Sequence, residues 1–274
     1  MLNDITIGQY FPAKSVIHRM DARIKILLLI AVLVMTFVAS NAASMMLMVV
    51  LVMTAIILSR VPLKIYFRTI KKIWVLILMT AVLNILYVDG EAIFEWGVIE
   101  ITKEGIVRSV YMAIRIILLI ISSAALTYTT SPTQLTDGIE RLLKPLSLIG
   151  LGGAVHTMAM MMTLALRFIP TLMEETDKIM SAQKARGADL ESGGFMQRIK
   201  ALIPIFVPLL VSSFRRAVEL ADAMECRCYT GGSGRTRLNN PKAGARDIIA
   251  SIIVILVIAA VITLNITLKG IIWF

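Results

Sequence analysis

Apolar residues gather in five runs along the chain, at 24–40, 42–58, 73–88, 111–130 and 248–268. The first three hold 16 or 17 residues, close to the lower limit of roughly 17 to 25 for a helix that crosses a bilayer. They are predicted to borrow their flanks, with Lys25, Arg60 and Lys72 snorkelling to the interface. Runs one and two meet at a turn around Ser40-Asn41. Small residues from Val38 to Ala42 would suit a signal-peptide cleavage site. A polar segment precedes the first run, however, and a second run follows at once, so it is read as a retained span.

Between the fourth and fifth runs the pattern changes. Met158, Met161, Met162, Ala165, Phe168, Ile169, Leu172, Ile179 and Met180 recur at spacings of three and four, which predicts a helix. Pro170 is expected to kink or break it, and Gly187 to stop it. A second helix is predicted from Leu202, Ile205, Phe206, Leu209, Leu210, Ala217, Leu220, Ala221 and Met224, ending at Tyr229-Thr230-Gly231-Gly232. Pro204 and Pro208 complicate its start, and a short helix over 133–143 stops before Pro145. These helices read as too charged to span a bilayer and too apolar to stand free in water. Their apolar faces are left to lie on the membrane, pack together or receive another membrane protein. The Met-rich stretch suits either an adaptable contact surface or ordinary gap filling.

Charge then gives a direction. Arg60, Lys64, Arg68, Lys71 and Lys72 follow run two without an acid, and Lys14, Arg19, Arg23 and Lys25 precede or open run one. The loop after run three carries Asp89, Glu91, Glu95, Glu100 and Glu104. The positive-inside rule places the N-terminus and residues 131–246 in the cytoplasm, and the C-terminus outside. The net charge of +10 comes with 58% hydrophobic residues and sits beside apolar runs. That is the distribution of a membrane protein and excludes a nucleic-acid-binding surface.

Little on the chain suits catalysis. No phosphate-binding G-x-x-x-x-G-K-[ST] occurs, nor H-E-x-x-H, nor G-x-S-x-G. His18 reads as part of the N-terminal interface segment and His156 as a polar position near a helix start. Cys226 and Cys228, one residue apart with no His nearby, suit neither a structural disulfide nor a zinc site. Two free thiols fit a reducing cytoplasm.

Ala182-Gln183-Lys184-Ala185-Arg186-Gly187 resembles the first Ala-Arg-Gly signature of the transmembrane component of energy-coupling factor transporters, the cobalt-transport permease family. Glu225-Cys226-Arg227-Cys228-Tyr229 stands where the second signature belongs. Gly8-Gln9-Tyr10, His18-Arg19-Met20-Asp21 and Arg23-Ile24-Lys25 are similar to the opening segment, and the order of spans matches over nearly the whole chain. The resemblance implies an all-α polytopic fold of about five transmembrane helices with a cytoplasmic coupling region of long amphipathic helices. Residues 1–130 would hold the N-terminal segment and four spans, 131–246 the coupling domain and 247–274 the last span.

By the same resemblance, this is a non-catalytic scaffold in a bacterial or archaeal cell membrane. It would link two cytoplasmic ABC-type ATPases, which bind ATP and Mg, to one or more substrate-binding membrane subunits for vitamin or micronutrient uptake. No cofactor or metal would be bound by the chain itself. Ala185, Arg186, Gly187, Cys226, Arg227 and Cys228 would dock the ATPases, and Met158, Met161, Met162 and Phe168 would meet the substrate-binding subunit. A guanidinium stays charged and offers a rigid donor fork, as repeated docking requires. The alternative role for each arginine is to cap a helix C-terminus, where its charge is favourable with the helix dipole. Cys228 in place of Gly removes a natural stop, so the second helix is expected to run on towards Gly231-Gly232.

Two rivals follow from the residues. A conventional ABC permease would need polar groups in mid-membrane, where Asn84 and Asn265 stand out and read better as bonds to neighbouring helices. A membrane-embedded enzyme would need paired acids or bases that the spans do not offer.

Overall fold

The computed structural model describes residues 10–88, 92–96, 99–145, 150, 152–188, 194–231 and 244–268. A 3-10 turn at Ile17–Arg19 precedes α1 (Ala22–Val38), α2 (Ala42–Ser59) and α3 (Leu63–Tyr87). An antiparallel hairpin, β1 (Ala92–Trp96) with β2 (Ile99–Thr102), leads into α4 (Lys103–Thr129) and α5 (Pro132–Leu143). The chain continues through α6 (Gly152–Ala185), α7 (Phe195–Cys226) and α8 (Ala245–Thr267). It divides into two compact units, one formed by Gly8–Gly138 with Asn239–Phe274 and the other by Ile139–Leu238 with Met1–Ile7.

In the five-helix unit, α4 packs against α1, α2 and α3, and α8 against α1 and α2. On α2 the buried positions Ser44, Met48, Val52 and Ile56 recur every four residues. Met46, Val50, Met53 and Ile57 form an equally apolar row on the other side and are exposed. A soluble helix would place charge there. An apolar outer surface around an interior that admits hydroxyls is the arrangement for lipid, where small polar residues let helices approach closely. Thr36, Ser44, Ser59 and Thr129 are accordingly among the most deeply buried side chains.

Contacts between helix ends fix their directions. The Asp21 backbone N–H donates to Asp247 Oδ1 at 3.0 Å, and Asn265 Nδ2 donates to the Val38 carbonyl at 2.8 Å. Helices α1 and α8 therefore run parallel. Lys25 Nζ reaches the Thr129 carbonyl at 2.9 Å and Thr130 Oγ1 at 3.2 Å, which sets the end of α4 beside the start of α1. Tyr66, just inside α3, packs edge-on against Tyr128 with ring centroids 5.4 Å apart. One end of the unit thus holds the starts of α1, α3 and α8 and the end of α4. A Cβ at Gly138 would lie 3.1 Å from the Ala22 Cβ, tighter than an ordinary contact, so glycine lets α5 approach α1 without displacing it.

The opening segment is pinned at the same end. His18 is buried, with Nε2 2.8 Å from the Phe11 carbonyl and Nδ1 2.7 Å from Ser15 Oγ. A carbonyl can only accept, so Nε2 carries a proton. Phe11 N–H in turn donates to the Tyr128 carbonyl at 3.0 Å.

Among the described residues, six helices are long and apolar enough to cross a membrane: α2, α3, α4, α6, α8 and the part of α7 from Ile199 to Cys226. The 17-residue α1 is shorter. Length and composition alone therefore do not separate α6 and α7 from the spans. Charge limits the uncharged stretches, however: Arg167, Glu174, Glu175, Asp177 and Lys178 confine that of α6 to residues 152–166, and Lys200, Arg215, Arg216, Glu219 and Asp222 confine that of α7 to residues 201–214. Pro170 breaks nothing: α6 runs through it, as α7 runs through Pro204 and Pro208.

Candidate functional site

In the helix-pair unit α6 and α7 pack antiparallel. Tyr229 OH lies 3.0 Å from Met160 Sδ, Arg216 pairs with Glu175 at 2.7 Å and Gln183 Nε2 donates to the Pro204 carbonyl at 3.4 Å. As residue numbers rise along α6, their partners fall along α7. Ser212 Oγ also donates to Glu175, so this carboxylate is held from two positions on α7. Ile205 and Ser212 are buried, whereas Leu202, Phe206 and Leu210 of the predicted apolar face are exposed, together with Ile203, Val207, Val211, Phe214 and Val218. The exposed apolar surface of α7 is therefore broader than the periodicity indicates.

Both helices end in the same way. On α6 the Ala188 N–H donates to the Gln183 carbonyl and the Gly187 N–H to the Lys184 carbonyl, both at 3.0 Å. On α7 the Tyr229 N–H donates to the Met224 carbonyl at 3.0 Å and the Cys228 N–H to the Glu225 carbonyl at 2.8 Å. Each is a Schellman closure, which requires a left-handed residue just past the cap. Gly187 supplies it at φ +83° and Cys228 at φ +56°. The expectation that Cys228 lets α7 run on to Gly231-Gly232 is thus corrected: the helix stops at Cys226, because Cys228 adopts the glycine conformation despite its side chain.

Arg186 and Arg227 hold equivalent cap positions. Ala185, Arg186, Gly187, Cys226, Arg227 and Cys228 are all exposed. Neither guanidinium makes a hydrogen bond or ion pair among the described residues. Each lies eleven residues beyond its own member of the Glu175–Arg216 pair, in opposite directions. At 1.5 Å per residue the two arginines stand on the order of 30 Å apart along the pair.

The family described as CbiQ, cobalt transport protein, matches residues 13–238. A relative from Clostridium kluyveri named "Energy-coupling factor transporter transmembrane protein EcfT" is 52% identical over 92% of this chain and 93% of its own length. Relatives of the same name from Acidaminococcus fermentans and Bacillus subtilis are 48% and 41% identical, over 93% and 95% of this chain. The chain belongs to the energy-coupling factor transporter transmembrane family. It is the multi-pass membrane component of such a transporter.

Met158, Met161 and Met162 are exposed and Phe168 is half-buried. His156 Nδ1 lies 3.5 Å from Glu140 Oε1. Asn265 bonds a neighbouring helix, as read, whereas Asn84 donates to the Thr80 carbonyl of its own helix at 2.8 Å. Cys226 and Cys228 are free and exposed.

The sequence reading missed two features. Arg115 sits inside the fourth apolar run, where one Nη donates to the Ala39 carbonyl at 2.7 Å and so satisfies the end of α1. An arginine within an apolar run is a visible signal. The second is the buried group of Asp21, Lys25 and Asp247 at the shared end of α1, α4 and α8. Asp247 Oδ2 also accepts from the Gly244 N–H at 2.8 Å, so one carboxylate caps its own helix and holds the start of α1.

Proposed function

We propose that this chain couples two cytoplasmic ATPases to a substrate-binding membrane subunit for uptake of a vitamin or micronutrient. Arg186 and Arg227 are the docking residues, one for each ATPase. The observation that carries this reading is the equivalence of the two ends: the same closure, the same arginine position and equal distances from the Glu175–Arg216 pair, facing opposite ways. A motor of two similar subunits presents two similar grooves, and an antiparallel pair with matched ends meets them both. Small residues beside each arginine, Ala185 and Gly187 or Cys226 and Cys228, let a groove close around the guanidinium. ATP and Mg belong to the ATPases. Motion of the docked ends passes along α6 and α7 to the substrate-binding subunit, which meets the exposed apolar surface that includes Met158, Met161, Met162 and, at its edge, Phe168.

The orientation follows from charge. The end of the five-helix unit that holds the starts of α1, α3 and α8 also carries Arg19, Arg23, Lys25, Arg60 and Lys64, which assigns it to the cytoplasm. Because α1 and α8 run parallel, the chain leaves this unit after α4 and returns to it before α8 at that same end. With α6 and α7 kept out of the bilayer, as docking of both Arg186 and Arg227 on cytoplasmic ATPases requires, the C-terminus lies outside.

Copurification in detergent with the ATPases tests the docking. The Arg186→Glu, Arg227→Glu double variant, folded and inserted, is expected to lose both the ATPases and their stimulated turnover. Undiminished association would remove these arginines from the coupling scheme.

A further inference from the structure

The five-helix unit carries an open groove of about 420 Å3 on the surface of α3 and α4, which the coupling scheme does not use. Its lining changes character along its length. Leu119 and Ile120 line one end, Ser123 the middle, and Thr127, Tyr128 and Thr69 the other end. The hydroxyl-rich end lies next to Thr129 and Thr130, where Lys25 marks the basic end of the unit. The apolar end lies about two turns earlier in α4.

Beside the polar half runs a row of cations. Lys64, Arg68 and Lys72 recur every four residues on α3, so they stack on one face of the helix. All three are exposed, none has an ion-pair partner among the described residues, and no acid occurs from Arg60 to Lys72. Thr69, the groove residue of α3, follows Arg68 directly and stands one turn before Lys72. On the opposite side of Thr69, Tyr66 is buried against Tyr128 and near Ser59. The cation row therefore borders the open side of the groove. Exposed Phe67, Trp74 and Val75 on the same helix place this surface against lipid.

A phospholipid shows the same gradient in the same order: an anionic phosphate, an ester-bearing glycerol and a hydrocarbon chain. We propose that the groove seats one anionic phospholipid, with its phosphate on Arg68 and Lys72, its glycerol region near Ser123 and Thr127, and an acyl chain along Leu119 and Ile120. Under the orientation argued above this is a lipid of the cytoplasmic leaflet, where basic grooves between spans collect acidic headgroups. A helix of a partner protein would fill the apolar half and leave three cations unmatched. A diester phosphate matches both halves.

The test uses the purified full-length chain, delipidated in detergent, and native mass spectrometry with dioleoylphosphatidylglycerol or dioleoylphosphatidylcholine as probe. One phosphatidylglycerol is expected to remain bound in preference to phosphatidylcholine. The Lys64→Gln, Arg68→Gln, Lys72→Gln variant is expected to bind it roughly tenfold more weakly or worse and to lose the preference. Ser123→Leu, which fills the groove and keeps the cations, is expected to weaken both lipids. Should the triple variant fail to fold, Lys72→Gln and Ser123→Leu decide the matter alone. Equal retention of phosphatidylglycerol by these variants would overturn the site. Displacement of the lipid by millimolar inorganic phosphate would reduce it to a free-anion site, and loss of the lipid on assembly with the partner subunits would give the groove to a protein helix.

Discussion

Gly187 and Cys228 do the same work at the ends of α6 and α7, closing each helix in the left-handed region at φ +83° and +56°. Only one of them is built for it. An L-residue with a Cβ is strained there by roughly 1–2 kcal/mol, whereas glycine is not. Replacing Cys228 by glycine is therefore expected to leave the melting temperature unchanged or raise it, with full ATPase association. Cys228→Val, whose branched side chain resists this conformation, is expected to lower both. Thermal unfolding in detergent and copurification read the two effects.

Lys25 is a buried cation whose ammonium donates to the Thr129 carbonyl and to Thr130 Oγ1. Hydrogen bonds from charged groups contribute about 1.5–3 kcal/mol each. Lys25→Met keeps the stem and removes the donors, and it is expected to destabilise the protein by about that amount. Unfolding followed by circular dichroism measures the loss.

Asp247 accepts from two backbone N–H groups, those of Asp21 and Gly244, and is itself buried. Asparagine can keep one of these bonds and alanine neither. The expected order of stability is wild type, then Asp247→Asn, then Asp247→Ala, with the alanine variant down by about 2–3 kcal/mol. A reversal of the two variants in a denaturation series would contradict the assigned bonds.

The Glu175–Arg216 pair is partly exposed, with 21% and 36% of the side chains accessible, so its contribution to stability is expected to stay under about 1 kcal/mol. A double-mutant cycle with Glu175→Gln and Arg216→Gln measures that coupling directly. If the pair sets the crossing point of the two helices, substrate uptake per ATP hydrolysed should fall in both single variants by more than the stability change explains. Uptake that tracks stability alone would make the pair an ordinary surface contact.

The helices were legible in the sequence to the extent that their residues are apolar. The runs at 24–40, 42–58 and 248–268 correspond to α1, α2 and α8 within a few residues. The run at 73–88 misses the first ten residues of α3, because Lys64, Arg68, Lys71 and Lys72 hide a helix whose apolar side is continuous. The start of α4 is hidden in the same way by Lys103, Glu104 and Arg108. The end of α7 was misplaced for a different reason: a closure usually made by glycine is made here by a cysteine, and composition alone does not reveal a positive φ. The bonds of Lys25 to Thr129 and of Asp21 to Asp247 join residues 104 and 226 positions apart, and no local periodicity records which distant partner a side chain meets. The two arginine positions, by contrast, stood out in the sequence because a small-Arg-small triplet recurs at both helix ends.

Equal spacing on either side of the Glu175–Arg216 pair makes α6 and α7 a balance beam with arms of matched length. Shifting every position by 41 carries Arg186 onto Arg227, Gly187 onto Cys228 and Glu175 onto Arg216, so a local dyad passes beside that ion pair. Little else in the two helices obeys the dyad. The unit is thus symmetric in leverage and asymmetric in identity: it can be loaded evenly from both ends, while each end keeps a surface that one partner can distinguish from the other.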